Sequence, residues 1–149
     1  MALNNPAFRA GGTINTSRFV RIDTTAGKDF QAVQASAATS PLIGISQDGS
    51  KRVPGVNSLT AADTEIAAEA GDAIQIYGLS DVCLLSVGTA ADIAAGAELT
   101  ADSNGKAVAA TAGQYVGAIA LENASKSTSS IGNLVRVQVV RYQKANAGA

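Results

Sequence analysis

The side chains that carry most enzymatic chemistry are scarce in this chain. Among 149 residues there is no histidine, so the commonest general base, metal ligand and pH switch is missing. The one cysteine, Cys83, stands in the apolar run Val82-Cys83-Leu84-Leu85 with no imidazole to activate it. It reads as a packed thiol and not as a nucleophile. Gly44-Ile45-Ser46-Gln47-Asp48 begins like a nucleophile elbow, but the closing glycine and a following helix are absent. Asp102-Ser103-Asn104-Gly105 opens like a calcium loop, yet the next Asp or Asn and the distal bidentate glutamate do not follow. Gly27-Lys28 and Gly105-Lys106 are the Gly-Lys pairs. Ile22 and Thr100 stand five residues before their glycines, and Asp29 and Ala107 follow their lysines. Neither pair can build a phosphate cradle. The expectation is a protein with no catalytic residue, no cofactor and no metal, and without ATPase, nuclease or esterase activity.

The elements these residues sit on are strands. Val82 to Val87 and Ala73 to Tyr77 flank the turn Gly78-Leu79-Ser80-Asp81. Leu134 to Tyr142 alternates, with Val135, Val137 and Val139 on one face and Arg136 and Gln138 on the other. Glu98 to Thr100 runs into the Asp102–Gly105 hairpin turn, where Asn and Gly accept positive φ, and Tyr115 to Leu121 returns as a small-residue apolar strand. Earlier, Ser17 to Asp23, Phe30 to Gln34 and Leu42 to Ser46 read as three short strands. Thr60-Ala61-Ala62-Asp63 and Thr89-Ala90-Ala91-Asp92 have capping-box spacing and could begin one or two helical turns, too short to stand alone. With turns this close and no room for crossover helices, antiparallel pairing is expected.

Two stretches repeat one plan. Phe19 to Ser46 and Ala97 to Leu121 each run strand, turn ending in Gly-Lys, strand with Ala-Val, Ala/Thr-rich link, strand. A duplicated three-strand meander would close a small barrel or sandwich; shared turn chemistry is the other reading. The fold expected is all-β, a compact antiparallel β-barrel or sandwich. Residues 1–16, with Asn5-Pro6 and Gly11-Gly12 and little periodicity, read as an extended N-terminal arm. Residues 17–142 form a single β domain, and 143–149 a flexible tail.

Composition narrows the function. Charged residues are 15% of the chain, below the roughly 25% usual for soluble domains, which fits a surface partly covered by partners. Eleven bases stand against twelve acids, with three Tyr, three Phe and no Trp. That excludes a basic-aromatic stripe for nucleic acid. No apolar run approaches the ~20 residues of a membrane span, and Met1 to Gly12 lacks the basic-then-apolar pattern of an export leader. The net charge of −1 is unevenly spread. Residues 1–52 balance at +3, residues 53–105 hold eight acids and no base, and residues 106–149 balance at +4. Drift on a solvated surface is one reading. The other is opposed acidic and basic faces that dock copies or orient the protein on a lattice.

A succession of blocks along nearly the whole chain resembles the capsid cement (head decoration) proteins of tailed bacteriophages. The blocks are Asn5-Pro6-Ala7-Phe8 with Gly11-Gly12-Thr13, Arg18-Phe19-Val20, Ile43-Gly44-Ile45-Ser46-Gln47, Gly71-Asp72-Ala73-Ile74-Gln75-Ile76-Tyr77-Gly78, Val82-Cys83-Leu84-Leu85, Gly96-Ala97-Glu98-Leu99, Gly113-Gln114-Tyr115-Val116-Gly117-Ala118-Ile119-Ala120 and Leu134-Val135-Arg136-Val137-Gln138. The resemblance implies a virion protein on the outer capsid surface, assembled in the host cytoplasm, that cements neighbouring major capsid protein subunits against internal DNA pressure. It implies the major capsid protein as partner, with self-association as a homotrimer, or a dimer at twofold positions. No nucleic-acid or membrane partner is expected. The contact residues expected are Asn5, Pro6, Phe8, Arg9, Arg18 and Arg21, because the stretch Met1 to Arg21 holds three arginines and no acid. Phe8 would be its apolar anchor. The alternative is a small β-barrel module binding carbohydrate or peptide at a virion surface.

Overall fold

The computed structural model describes residues 8–46, 66–128 and 132–146, and in them every regular element is a strand. In chain order these are β1 (Phe8–Ala10), β2 (Ile14–Asn15), β3 (Phe19–Ile22), β4 (Gln31–Gln34), β5 (Gly44–Ser46), β6 (Ile66–Ala68), β7 (Ala73–Ile74), β8 (Ile76–Tyr77), β9 (Val82–Ser86), β10 (Glu98–Ala101), β11 (Ala107–Ala109), β12 (Tyr115–Ala120) and β13 (Leu134–Gln143). The protein is all-β. Its ladders are antiparallel except β1 with β4, which is parallel.

A six-stranded sheet runs β7-β1-β4-β3-β5-β8. Its two margins, β7 and β8, are separated in the chain by the single residue Gln75. The sheet therefore rolls up, and Ala73–Tyr77 closes it as one seam into a small barrel. Ala10, Ile14, Val20, Ala32, Ala67, Ala68, Ile74 and Ile76 form one buried cluster. They come from alternate positions of the barrel strands and from the two-stranded β2–β6 pair. A second sheet, β11-β10-β12-β13-β9, lies against the barrel. The larger core fills the space between them, with Phe19, Leu42 and Ile45 on the barrel side and Leu85, Leu99, Val135, Val137 and Val139 on the sheet side. β3 is thus buried on both faces, Phe19 toward the sheet and Val20 into the barrel, each 0% exposed.

The approach is close enough to require glycine. A Cβ on Gly117 would lie 2.6 Å from Phe19 Cε1 and 2.7 Å from Leu42 Cδ1. Gly105, at φ 73°, turns the β10–β11 hairpin and presses it on the barrel. Its carbonyl accepts the Phe19 amide at 2.8 Å, and a Cβ there would come within 3.0 Å of the Ala35 carbonyl oxygen.

The duplicated plan survives with a changed topology. Both copies order their strands second-first-third, β4-β3-β5 and β11-β10-β12, whereas a meander would put the second strand in the middle. The cause is burial: Phe19-Val20 and Leu99-Thr100 are the most buried pairs of their copies, and the most buried strand takes the centre. The arm of residues 1–16 is also corrected. β1 lies inside the six-stranded sheet and β2 pairs with β6, because Ala10 and Ile14 are core residues at 1% and 0% exposure. What is left of the expected arm, residues 1–7, lies outside the described residues. At the other end the tail begins later than expected. Gln143 is still strand, and Lys144 exchanges backbone bonds with Gly113 and Gln114. Thr60–Asp63 is outside the described residues. Thr89–Asp92 forms no helix and leads into an Ile93–Ala124 bridge.

Candidate contact surface

The charged side chains of the middle segment serve the fold. Asp102 Oδ1 accepts the amides of Asn104 and Lys106 at 2.8 and 2.9 Å. Asp81 caps Gly78, Asp92 takes the Lys126 amide, and Asp72 takes that of Glu69. Carboxylates that accept backbone N–H bonds close turns. For these residues the acidic run of the sequence is a set of turn caps on several loops, not one acidic face. Glu98 belongs to a different cluster. Tyr142 donates its hydroxyl to Glu98 Oε2 at 2.5 Å, and Lys144 Nζ sits 3.2 Å from Oε1. The Tyr142 hydrogen bond, then Lys144, hold the Glu98 carboxyl below its ordinary pKa. Burial, then the Glu98 contact, push the Tyr142 phenol up to about 12. The cluster pins the end of β13 to β10. Cys83 is 8% exposed, and burial, with Asp81 nearby, pushes its thiol up to about 12. A thiol so protonated is a poor nucleophile at neutral pH.

The expected contact residues fall in different places. Asn5 and Pro6 are outside the described residues. Arg18 is 3% exposed, so its guanidinium is not offered to a partner. It stands immediately before β3, whose first residues Phe19 and Val20 are covered on both faces. Arg21 is half-buried and turns Nη1 back to the Ile22 carbonyl at 3.1 Å. Phe8 and Arg9 do come together on β1. Phe8 packs against the barrel's interior cluster, and its ring stacks on Phe30 with centroids 4.7 Å apart and planes 14° from parallel. Phe30 is 57% exposed. With Arg9, Asp29, Gly71 and Ala73 these rings line an open groove of about 500 Å³.

Phe30 is the residue the sequence reading missed as a site. Phe30 to Gln34 reads as a strand, yet the strand starts at Gln31 and Phe30 sits at φ 59°. A bulky side chain with positive φ is a steric outlier, and such strain gathers at functional positions. The available signal was an aromatic placed directly after the polar turn Gly27-Lys28-Asp29, where a ring has no core to enter.

No family model matches the sequence, and no curated protein matches it. Among solved structures the chain is similar to the N base of the head fiber gp8.5 of bacteriophage phi29. The two share a TM-score of 0.55 and 19% sequence identity, over 94% of this chain and 96% of that one. The likeness runs end to end and establishes the fold.

Proposed function

We propose that this protein is a structural component of a phage virion that docks on the outer surface of the assembled head and ties neighbouring major capsid protein subunits together. The observation that carries the reading is the end-to-end likeness in fold to the base of a phage head fiber. The Phe8–Phe30 groove supplies the contact. A stacked aromatic pair flanked by Arg9 is the kind of anchor that dominates protein interfaces. The mechanism is mass action. A ligand that binds only the assembled lattice stabilises it by ~4 kcal/mol per site at a thousandfold excess over its Kd, repeated over every copy. A homotrimer would match threefold lattice positions.

The test is co-sedimentation of the purified protein with heads made without it. Saturable binding at a fixed number of copies per head, with DNA retained to a higher temperature, is the expected result. No binding to such heads overturns the proposal. A carbohydrate-binding module remains the second reading because Phe30 exposes a ring face; glycan-array binding without head binding would favour it.

A further inference from the structure

The outer face of the five-stranded sheet carries a second surface, distinct from the Phe8–Phe30 groove. Register places Leu84 of β9 opposite Arg136 of β13, and the Leu121 amide donates to the Arg136 carbonyl. Leu84, Arg136 and Leu121 therefore stand abreast, a few ångströms apart as cross-strand neighbours on one face are. Val82, Gln138 and Ile119 form the next row by the same register. Val82, Leu84 and Leu121 are 54%, 44% and 46% exposed. Scattered apolar residues on a surface need no explanation, but these three surround one cation.

Among the described residues that cation has no partner. Arg136 is exposed, and among the described residues its guanidinium makes no hydrogen bond or ion pair; only its backbone is engaged, the amide by Glu122 and the carbonyl by Leu121. Arg21 and Arg141, by contrast, turn their guanidinium groups onto carbonyls of this chain. Beside Arg136 a cavity of about 290 Å³ opens between Val82 and Leu84 of the sheet and Ser17 and Tyr77 of the barrel. An aliphatic flank around a guanidinium, with a recess next to it, is complementary to a carboxylate carried between apolar side chains. The planar fork of arginine binds a carboxylate through two parallel hydrogen bonds, and the aliphatic rim keeps water from them.

We propose that this face docks an acidic, apolar-flanked segment of the capsid shell protein, with Arg136 pairing its carboxylate. The proposal rests on the head-docking reading and extends it. Cementing needs two unlike contacts on one rigid body, and the groove on the barrel and the Arg136 face on the sheet are two such contacts.

The experiment compares the wild-type full chain with Arg136→Glu, Arg136→Lys and Leu84→Ser for binding to heads made without the protein. Both positions point outward, so melting temperatures should be nearly equal and serve as the folding control. Arg136→Glu should weaken binding at least tenfold and abolish the gain in DNA retention, Leu84→Ser should weaken it less, and Arg136→Lys should fall between wild type and Arg136→Glu. Wild-type binding matched by Arg136→Glu overturns this surface and leaves the head-docking reading standing. Absence of wild-type binding overturns both. Sedimentation in which Arg136→Glu dissociates a wild-type oligomer would assign the face to a second copy and overturn the shell contact.

Discussion

Phe30 combines an exposed ring, a stacking partner and a backbone conformation that its side chain disfavours. Holding a residue in such a region costs about 1–3 kcal/mol, while stacking on Phe8 returns roughly 0.5–1.5 kcal/mol. Phe30→Asn should therefore leave the stability of the isolated protein within about 1 kcal/mol of wild type, since Asn tolerates positive φ. Binding to heads should fall at least tenfold. A thermal melt and a head-binding isotherm on the same variant check both halves. Cys83 gives a residue-scale prediction in pH. Its folded pKa is raised from 9.0 to about 12, so the unfolded chain releases the proton first. The stabilisation is complete below pH 9 and is lost as pH rises toward 12. Cys83→Ala should flatten that alkaline decline in urea midpoints measured from pH 8 to pH 11, and an unchanged slope would show that the thiol is not its source.

At the scale of elements, local pattern made some strands readable and left others silent. β13 alternates cleanly, and its buried valines are those that alternation assigned to one face. The Asp102–Gly105 turn carried its own chemistry in Asn-Gly. β1 gave no signal because it is three residues long and its partners, β4 and β7, lie far along the chain. The seam at Gln75 was equally hidden, since Ala73–Tyr77 alternates as one strand and only tertiary pairing divides it. The site was less legible than the fold. Phe8 and Arg9 were named, but the groove depends on Phe30 and Gly71, brought in from other loops. Truncation separates these contributions. Deleting residues 1–13 removes β1 and should lower stability sharply beyond any effect of deleting residues 1–7, read as a larger drop in urea midpoint. Equal midpoints for the two truncations would show that β1 contributes nothing to the sheet.

On the scale of the whole molecule, the question is whether barrel and sheet are one cooperative body, because a clamp transmits force only if its two contact faces are rigidly joined. The larger core draws Phe19, Leu42 and Ile45 from the barrel and the valines of β13 from the sheet. The bond from the Ser86 amide to the Ser17 carbonyl, at 2.9 Å, ties them further. Phe19 is the centre of this junction, fully buried and seated over Gly117. Two substitutions attack it from opposite sides. Phe19→Ala empties the junction and should cost about 3–5 kcal/mol; Gly117→Ala overfills it and should cost about 1–3 kcal/mol. Calorimetry should give one transition for the wild type and for Gly117→Ala, because the larger core is complete only where the two layers meet. The same variant offers a check on the clamp itself. If rigidity across the junction is what stabilises the head, Gly117→Ala should still bind heads near its native affinity at low temperature. Its gain in DNA retention should vanish at a lower temperature than the wild type's, shifted by the same interval as its melting point. A wild type that melts in two separate steps would mean that barrel and sheet move independently, and the junction could then carry no load between the groove and the Arg136 face.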